Sequence, residues 1–470
     1  MDPGSRTAKA GCRSDQRSWP EGRCADAASH WGFGIRKRHP TFVACLVVTL
    51  ALSFCAISRG SLAQDTSPTP LSPADSTTEL LAPNPKSRIP ALEISLLTIG
   101  PGSIFWERFG HNAIVVRDRA ADTAIAYNYG IFDFEQEDFL VNFARGNMRY
   151  RIAADDIEDD IEMYRDEHRS ITEQQLALTQ QQAETLRDFL AWNIRPENAF
   201  YRYDYFLANC STRVRDALDK AVGGAIQRAT EGRSGGYTYR MDSLRLMAAE
   251  PLLMLGIDLG LGPYADRRID FWEESFVPAV FSRSLRDVTV ADASGAAKPL
   301  VLAETVLSQG SIEEPPDLPP DLRLTFMVIG IALGLVIFAA TRAHSRAARM
   351  PVAFFAIIFE LFCGIGGVVL LFLWLATAHQ SAWRNENLLL LNPLCLLLVP
   401  AAATLMRKRP RASARGTNIA WLVAGLAAFA LFSKILPWFV QANLHWILLF
   451  LPIHVALALV IARRQSDRAI

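Results

Sequence analysis

The apolar residues of this chain form two regions with different patterns. From about residue 64 to 323, apolar and polar positions are mixed as in a domain that folds in water, whereas the chain beyond consists of long apolar runs separated by short loops. Five runs are long enough, or nearly so, for a bilayer crossing of roughly 20 helical residues. They lie at about 324–340, 351–377, 388–405, 419–436 and 446–462. The pattern predicts a water-exposed domain followed by an all-α membrane bundle of five helices over residues 324–470.

The charges between the predicted spans indicate their orientation. Two loops and the C-terminal tail are rich in basic residues, namely Arg342, Arg346, Arg349, Arg407, Lys408, Arg409, Arg411, Arg415, Arg463, Arg464 and Arg468. The other two loops carry Arg384 and Glu386, or no formal charge. Because loops rich in Lys and Arg stay in the cytoplasm, residues 64–323 are expected outside it.

The N-terminal segment, residues 1–63, has the order of a secretory signal. A basic patch at 36–39 precedes an apolar run at 42–57 and a small-x-small site at 61–63. The polar stretch before it is long, so a cleaved signal and an uncleaved anchor both fit. Residues 64–89, rich in Pro, Ser and Thr, predict a linker, and the proline-rich residues 313–323 predict another linker into the membrane.

Residues 90–312 are predicted to form an α+β domain. Apolar segments of strand type occur at 91–99, 111–116, 123–129, 148–152 and 170–176. A capping box at Thr179 and apolar residues at helical spacing predict a helix to about Trp192. Another helix is predicted from Cys210 to a glycine pair at 223–224, and the first half of residues 236–310 is expected to be mainly helical.

Composition removes several functional classes. The 48 Lys and Arg residues balance the 48 Asp and Glu residues, so no basic face is expected to bind nucleic acid. The seven cysteines lack the paired spacing of a zinc site or a disulfide framework. No metal or nucleotide motif occurs, so no cofactor is expected. Cys210 is the only cysteine between the N-terminal apolar run and the membrane bundle, and is therefore expected to be a free thiol.

Cys210 and His111 are candidates for thiol chemistry. A helix N-terminus and a nearby histidine both favour the reactive thiolate. His111 opens a predicted strand, whereas His168, the other histidine in residues 64–323, lies in a charged stretch and is expected to be solvated. A structural interpretation also fits, with Cys210 packed in the core beside Val214 and His111 bonded to a backbone carbonyl. Spacing alone leaves both interpretations open.

Longer motifs surround these two residues. They are RFGHN at 108–112, YNYGIFDF at 127–134, YDYFLANCST at 203–212, NLL at 387–389 and LNPL at 391–394. A strand histidine ahead of a helix-start Asn-Cys pair resembles the circularly permuted NlpC-type papain-like proteins, the lecithin:retinol acyltransferase-like enzymes in particular. Over nearly its whole length the chain resembles the bacterial Lnb-type lipoprotein N-acyltransferases, although Ala208 stands where that family often has an acidic residue.

The resemblance implies a permuted papain-like domain with an antiparallel sheet, on the periplasmic side of a multi-pass protein of the bacterial cytoplasmic membrane. Cys210 would take an acyl chain from a phospholipid as a thioester, with His111 as general base, and pass it to the N-terminal amine of a lipoprotein. Asn128 is the candidate for orienting His111, with Asp133 in reserve. Asn209 is expected to cap its helix rather than join the chemistry.

The membrane bundle holds further candidates. Glu360 lies inside the second span, where a carboxylate is either functional or satisfied by a partner. His379, Trp383, Asn387 and Asn392 are expected together at an outer loop, either to bind a lipid headgroup or to mark the membrane interface. Two other functions remain compatible with the sequence. One is a Cys–His hydrolase acting on peptidoglycan amides or lipoprotein acyl groups, and the other is a non-enzymatic membrane-anchored scaffold.

Overall fold

The computed structural model describes residues 91–132, 138–292, 294–342, 346–406 and 413–466. Outside these ranges lie the predicted signal or anchor, the linker to residue 89, the reserve residue Asp133 and the basic positions 407–411.

An antiparallel sheet forms the centre of the N-terminal domain. The strands of this domain are β1 Leu92–Ile99, β2 His111–Asp118, β3 Thr123–Ile131, β4 Arg149–Asp156, β5 Ile171–Leu176, β6 Phe200–Arg202, β7 Thr289–Ala291, β8 Ala297–Pro299 and β9 Val301–Ser308. Seven of them form the sheet in the order β6-β4-β3-β2-β1-β5-β9, and β7 pairs with β8 in a separate hairpin. The α+β class and the antiparallel sheet predicted from the sequence are confirmed.

Helices cover both faces of this sheet. The helices of this domain are α1 Phe139–Arg145, α2 Ile157–Asp166, α3 Gln180–Asn193, α4 Cys210–Ala221, α5 Ala225–Thr230, α6 Tyr239–Leu246, α7 Pro251–Gly260, α8 Phe271–Glu274 and α9 Pro278–Leu285. On one face Ile157, Ile161 and Tyr164 of α2 pack against strand residues such as Val115. On the other face α3, α4 and α9 pack against strand residues such as Ile114.

The C-terminal region is helical and apolar, as predicted. Its helices are α10 Arg323–Arg342, α11 Arg346–Ala376, α12 Val399–Ala403, α13 Ala414–Ser433 and α14 Leu444–Ser466. By length and composition, four helices of the described chain can cross a membrane, or five if the bent pair Gln380–Leu389 and Pro393–Met406 counts as one span.

The span predicted at 388–405 differs from the continuous helix that was expected. The segments Gln380–Leu389 and Pro393–Met406 meet at an angle of 41°, and short 3-10 segments replace most of the α-helix predicted there. Pro393 and Pro400 have no backbone N–H to continue a helical ladder. The Asn392 side chain accepts a hydrogen bond from the Leu394 N–H at 3.0 Å, which starts a new segment after the break.

A buried polar joint connects the N-terminal domain to the bundle. Asp258, near the end of α7, accepts hydrogen bonds from Arg240 at 2.6 Å and from Trp446 of α14 at 2.7 Å. In the loop after α11, Asn385 donates to the Leu259 carbonyl at 2.8 Å. These contacts are desolvated and paired on both sides, so the joint holds the two regions in one fixed arrangement.

Candidate active site

The first turn of α4 is built by a capping box. The Asn209 side chain accepts a hydrogen bond from the Thr212 N–H at 2.9 Å, and the Thr212 hydroxyl accepts one from the Asn209 N–H at 2.8 Å. The Asn209 amide also donates to the Phe276 carbonyl at 2.8 Å. Asn209 therefore serves the helix start, as expected from the sequence, and makes Cys210 the first residue of α4.

Cys210 is a half-buried free thiol outside the apolar cores. The backbone N–H groups of Asn112, of Ser211 and of Cys210 itself lie within hydrogen-bonding range of its sulfur. The Ser211 hydroxyl donates to the Asn112 side-chain oxygen at 2.7 Å, which ties the start of α4 to β2. Val214 and Leu218 of the same helix are fully buried, so Cys210 differs from the core residues that follow it.

His111 begins β2, one residue before Asn112. Its Nε2 atom lies 2.9 Å from the Asn128 Oδ1 atom on β3. The Asn128 amide nitrogen donates to Asp160 of α2 at 2.7 Å. Because Asp160 takes the amide nitrogen, the Asn128 oxygen faces His111, and Nε2 must carry the proton in this hydrogen bond. The other ring nitrogen, Nδ1, is then free to accept a proton.

Two further residues lie close to both His111 and Cys210. The Tyr164 ring centre is 6.4 Å from that of His111, and Cys210 contributes to the raised pKa of Tyr164, after burial, Asp160 and Glu167. Arg169 is buried, donates two hydrogen bonds to the Gly100 carbonyl at 2.9 and 3.0 Å, and lies over the Tyr164 ring. The thiol and the imidazole thus share one small neighbourhood.

The site holds its thiol and imidazole in neutral forms. Burial raises the pKa of Cys210 to about 11, although the surrounding N–H groups and Arg169 act in the opposite direction. Burial also lowers the pKa of His111 to about 4, opposed by the Asn128 hydrogen bond and reinforced by Arg169. Between these values the resting pair is a thiol and a neutral imidazole. Such a pair reacts when the imidazole removes the thiol proton during attack on an electrophile.

Gly130 makes room for the thiol at the end of β3. Its φ is +92°, and a Cβ atom added there would lie 3.2 Å from the Cys210 Cβ. The register between β3 and β4 shifts at this position, and bulges of this kind commonly redirect a strand beside an active site. Any side chain at Gly130 would be strained and would press on Cys210.

Aromatic side chains line the approach to the thiol. Tyr203 lies near Cys210, and burial, with Cys210 as the next cause, holds the pKa of Tyr203 well above its usual value. The Tyr203 ring stacks on Tyr150 at 4.1 Å and lies 5.9 Å from Tyr205. Tyr205 in turn stacks on His379 at 6.0 Å. This aromatic row therefore runs from Cys210 to the loop after α11.

Other predicted candidates lie elsewhere. His168 is exposed, so it does not join the site. His379 and Asn387 contact backbone carbonyls of the N-terminal domain, those of Phe143 at 2.9 Å and Leu259 at 3.1 Å. Trp383 donates to the Thr377 carbonyl of its own loop at 3.1 Å. None of these contacts involves Cys210.

Glu360 is buried inside the second predicted span. Its carboxyl is in hydrogen-bonding contact with the Cys395 thiol. Its Oε2 atom has no hydrogen-bond partner among the described residues. Across the described ranges, no group of three or more His, Cys, Asp or Glu side chains is arranged to hold a metal ion.

Sequence reasoning missed Asp160, Tyr164 and Arg169. Asp160 stands in an acidic run at 155–160 and Arg169 in a charged run at 165–169, and such runs usually form solvated surfaces. The spacing of Ile157, Ile161 and Tyr164 indicates a helix, and Asp160 shares the face of that helix that packs on the sheet. That periodicity was the available signal for Asp160. No comparable local signal points to Arg169.

Fold and site together define a multi-pass membrane protein whose water-exposed domain presents a thiol beside a strand histidine. Two family models match the chain, the Lnb N-terminal periplasmic domain over residues 84–249 and the Lnb transmembrane domain over residues 320–467. The chain belongs to the Lnb family, and its N-terminal domain is periplasmic. Neither a curated protein nor a solved structure matches it.

Proposed function

We propose that this protein is an N-acyltransferase that moves an acyl chain from a phospholipid, through a thioester on Cys210, to the N-terminal amine of a lipoprotein. The observation that carries the proposal is the hydrogen-bonded series Asp160–Asn128–His111 beside the thiol at the start of α4. Family membership points in the same direction. The order of strand histidine and helix-start cysteine supports a permuted papain-like arrangement. The proposed acyl transfer takes place at the periplasmic face of the cytoplasmic membrane.

In the first step the Cys210 sulfur attacks the carbonyl carbon of a phospholipid ester. His111 accepts the thiol proton at Nδ1 as the C–S bond forms. We assign the stabilisation of the developing oxyanion to the backbone N–H groups near the sulfur. The ester C–O bond then breaks, His111 returns the proton to the leaving oxygen, and a lysophospholipid departs from the thioester.

In the second step the amine of a lipoprotein N-terminal cysteine attacks the thioester carbonyl. His111 takes a proton from the attacking nitrogen and gives it to the departing Cys210 sulfur, which restores the thiol and leaves an amide on the lipoprotein. Since both substrates are anchored in lipid, holding the site at the membrane raises the effective concentration of each.

Mass spectrometry of lipoprotein N-termini tests this proposal. Cells lacking the protein are compared with cells that express it and with cells that express Cys210→Ala or His111→Ala. We expect N-acylation to be lost in cells that lack the protein. The unaltered chain should restore it, and neither variant should. Unchanged N-termini in cells that lack the protein would contradict the proposed acyl transfer.

The same cells separate the competing functions. Altered peptidoglycan fragments with normal lipoproteins would indicate an amidase, and gain of acyl chains in cells lacking the protein would indicate a deacylase. Normal cell behaviour with Cys210→Ala would indicate a scaffold whose thiol is structural.

A further inference from the structure

Helix α1 presents apolar side chains to its surroundings. None of its residues is buried, and Leu140 and Phe143 are 45% and 42% exposed. Large apolar side chains clustered at a surface usually mark a contact with a partner or a membrane. A helix of seven residues also gains little stability from its own hydrogen bonds. We therefore expect the exposed apolar face of α1 to contact a protein partner or a membrane.

Direct hydrogen bonds fix α1 at the level of a membrane helix end. The Arg145 carbonyl accepts from the Ala378 N–H at 2.8 Å, and the His379 ring contacts the Phe143 carbonyl at 2.9 Å. Both partners directly follow α11, which ends at Ala376. The apolar face of α1 is thus held where the span α11 leaves the hydrocarbon, and not higher in the periplasm.

The turn before Cys210 also contacts the end of α11, through His379. Tyr205 stacks on His379, and both Tyr205 and Leu207 are exposed. We call Leu140, Phe143, Tyr205 and Leu207 the membrane-facing patch. Leu375, in the last turn of α11, is also strongly exposed, so the patch continues the lipid-facing surface of the bundle.

An aromatic route leads inward from this patch. Tyr205 contacts Tyr203, which stacks on Tyr150. Tyr203 belongs to the turn in which Asp204 pairs with Ala208, two residues before Cys210. Phe132 stacks on Tyr150 at 5.1 Å. Aromatic faces offer an acyl chain a surface that needs no hydrogen bonds from the chain itself. These rings therefore link the membrane-facing patch to the turn that carries the thiol.

We propose that the membrane-facing patch inserts into the outer leaflet of the membrane, and that the aromatic route delivers a phospholipid acyl ester from there to Cys210. The insertion is independent of the proposed acyl transfer, whereas delivery to Cys210 rests on it. A lipid surface is favoured over a protein partner because the patch is continuous with membrane-spanning helices and is tied to their end.

Lipid labelling tests the insertion without any need for activity. The full-length protein is placed in phosphatidylglycerol and phosphatidylethanolamine vesicles that contain a phospholipid with a photoreactive group near its ester, and labelled peptides are mapped. Labelling of α1 and of the 203–207 turn is expected. Leu302 is the matched control, since it is 56% exposed but lies near the end of the sheet opposite His111. Equal labelling of α1 and the Leu302 peptide, or none on α1, would overturn the insertion.

A comparison of two acyl donors tests delivery. The rate of Cys210 acylation is measured with vesicle phospholipid and with a water-soluble short-chain ester. In the double variant Leu140→Asn and Phe143→Asn, the ratio of the two rates is expected to fall about tenfold or more, because interfacial binding scales with inserted apolar area. Leu302→Asn should leave that ratio unchanged.

The outcomes separate the two proposals. A ratio that stays constant in the double variant contradicts delivery through the patch. If the unaltered protein accepts neither donor, the proposed acyl transfer fails, while lipid labelling of α1 still decides the insertion. If the photoreactive phospholipid labels no residue of α1 and a purified lipoprotein carrying a photoreactive group does label it, the patch binds a protein partner and the lipid proposal is wrong.

Discussion

At the scale of single residues, the site depends on the orientation of one amide. Asn128 offers an oxygen to His111 and a nitrogen to Asp160, so its two ends cannot be exchanged without setting like groups against each other. This fixes which imidazole nitrogen carries the proton. A carboxylate in place of the amide would face Asp160 with the same charge. The amide is therefore the suitable group here, in a position where many thiol enzymes also use a polar residue.

Asn128→Ala is expected to slow Cys210 acylation by about 10²-fold or more, because misplacing a general base removes most of its contribution. The rate is followed by intact-protein mass spectrometry with a soluble ester donor. Asp160→Asn keeps an oxygen that can accept from Asn128 and should lose less. An unchanged rate and an unchanged pH profile in Asn128→Ala would contradict the positioning role.

The protonation states predict a pH dependence for Cys210. With a pKa raised to about 11, the thiolate fraction at neutral pH is small and grows about tenfold per pH unit. Alkylation of the Cys210 peptide by iodoacetamide should rise accordingly from pH 7 to 9. Acylation, which uses neutral His111, should fall only as the pH drops towards about 4. Alkylation that is fast and constant from pH 6 to 8 would indicate a thiolate–imidazolium pair instead.

Arg169 lowers the pKa of both site residues, because its charge favours a thiolate and disfavours an imidazolium. Arg169→Met should raise the pKa of both Cys210 and His111. The increase of the alkylation rate with pH then begins at a higher pH, and the loss of acylation on acidification also begins at a higher pH. Arg169→Lys keeps the charge and should preserve both positions. Loss of activity in Arg169→Met with neither curve displaced would mean that Arg169 acts only in packing around Gly100.

At the scale of elements, close backbone approaches decide where α1 can lie. Gly146 follows α1 with φ +76°, and a Cβ atom there would lie 2.9 Å from the backbone nitrogen of His379. Gly232 has nearly the same φ, +74°, with no atom near the added Cβ. The two glycines share the conformational requirement and differ only in the neighbour.

Gly146→Ala should therefore destabilise the protein more than Gly232→Ala. Strain at positive φ costs about 1–3 kcal/mol at either position, and the contact with His379 adds to it at Gly146 alone. Thermal unfolding in detergent gives the total, and proteolysis near residues 138–148 shows whether α1 detaches. Equal effects of the two substitutions would mean that the approach to His379 relaxes without cost.

The regular elements followed from local sequence more closely than their connections did. The capping boxes at Thr179 and Asn209 and the strand patterns from 91 to 176 lead to the observed elements, because these signals act within a few residues. The break near Pro393 was missed because the apolar run passes through it without a change in hydropathy. The Asp160–Asn128–His111 series joins three elements and needed the tertiary fold, whereas the sequence suggested only the pair of Asn128 and His111, which a hydrogen bond joins in the structure.

At the scale of the whole molecule, the polar joint couples the periplasmic domain to the bundle. Arg240 pairs with both Asp258 and Asp266, and all three side chains are almost fully buried. Asp258 in turn accepts from Trp446 in the bundle. Removing one member of such a cluster leaves charges or donors without partners, which costs more than the cluster contributes in net stability.

Asp258→Ala is accordingly expected to destabilise the protein by about 3–5 kcal/mol. Thermal unfolding of the full-length protein in detergent measures the loss. The triple variant Arg240→Met, Asp258→Leu and Asp266→Leu removes all three buried charges and should recover much of the loss. A triple variant no more stable than Asp258→Ala would show that the charges themselves are needed to hold the joint together.

The polar joint also sets the distance between the thiol and the membrane. Because it ties the domain that contains Cys210 to membrane-spanning helices, the sulfur stays at a constant height above the membrane surface. Under the proposed function, an acceptor would be selected by how near its amine lies to that plane, and the amino acids that follow would matter little. Lipoproteins of unrelated sequence would then be equivalent substrates. A lipoprotein peptide without its lipid anchor would not be held near the sulfur and would remain unmodified.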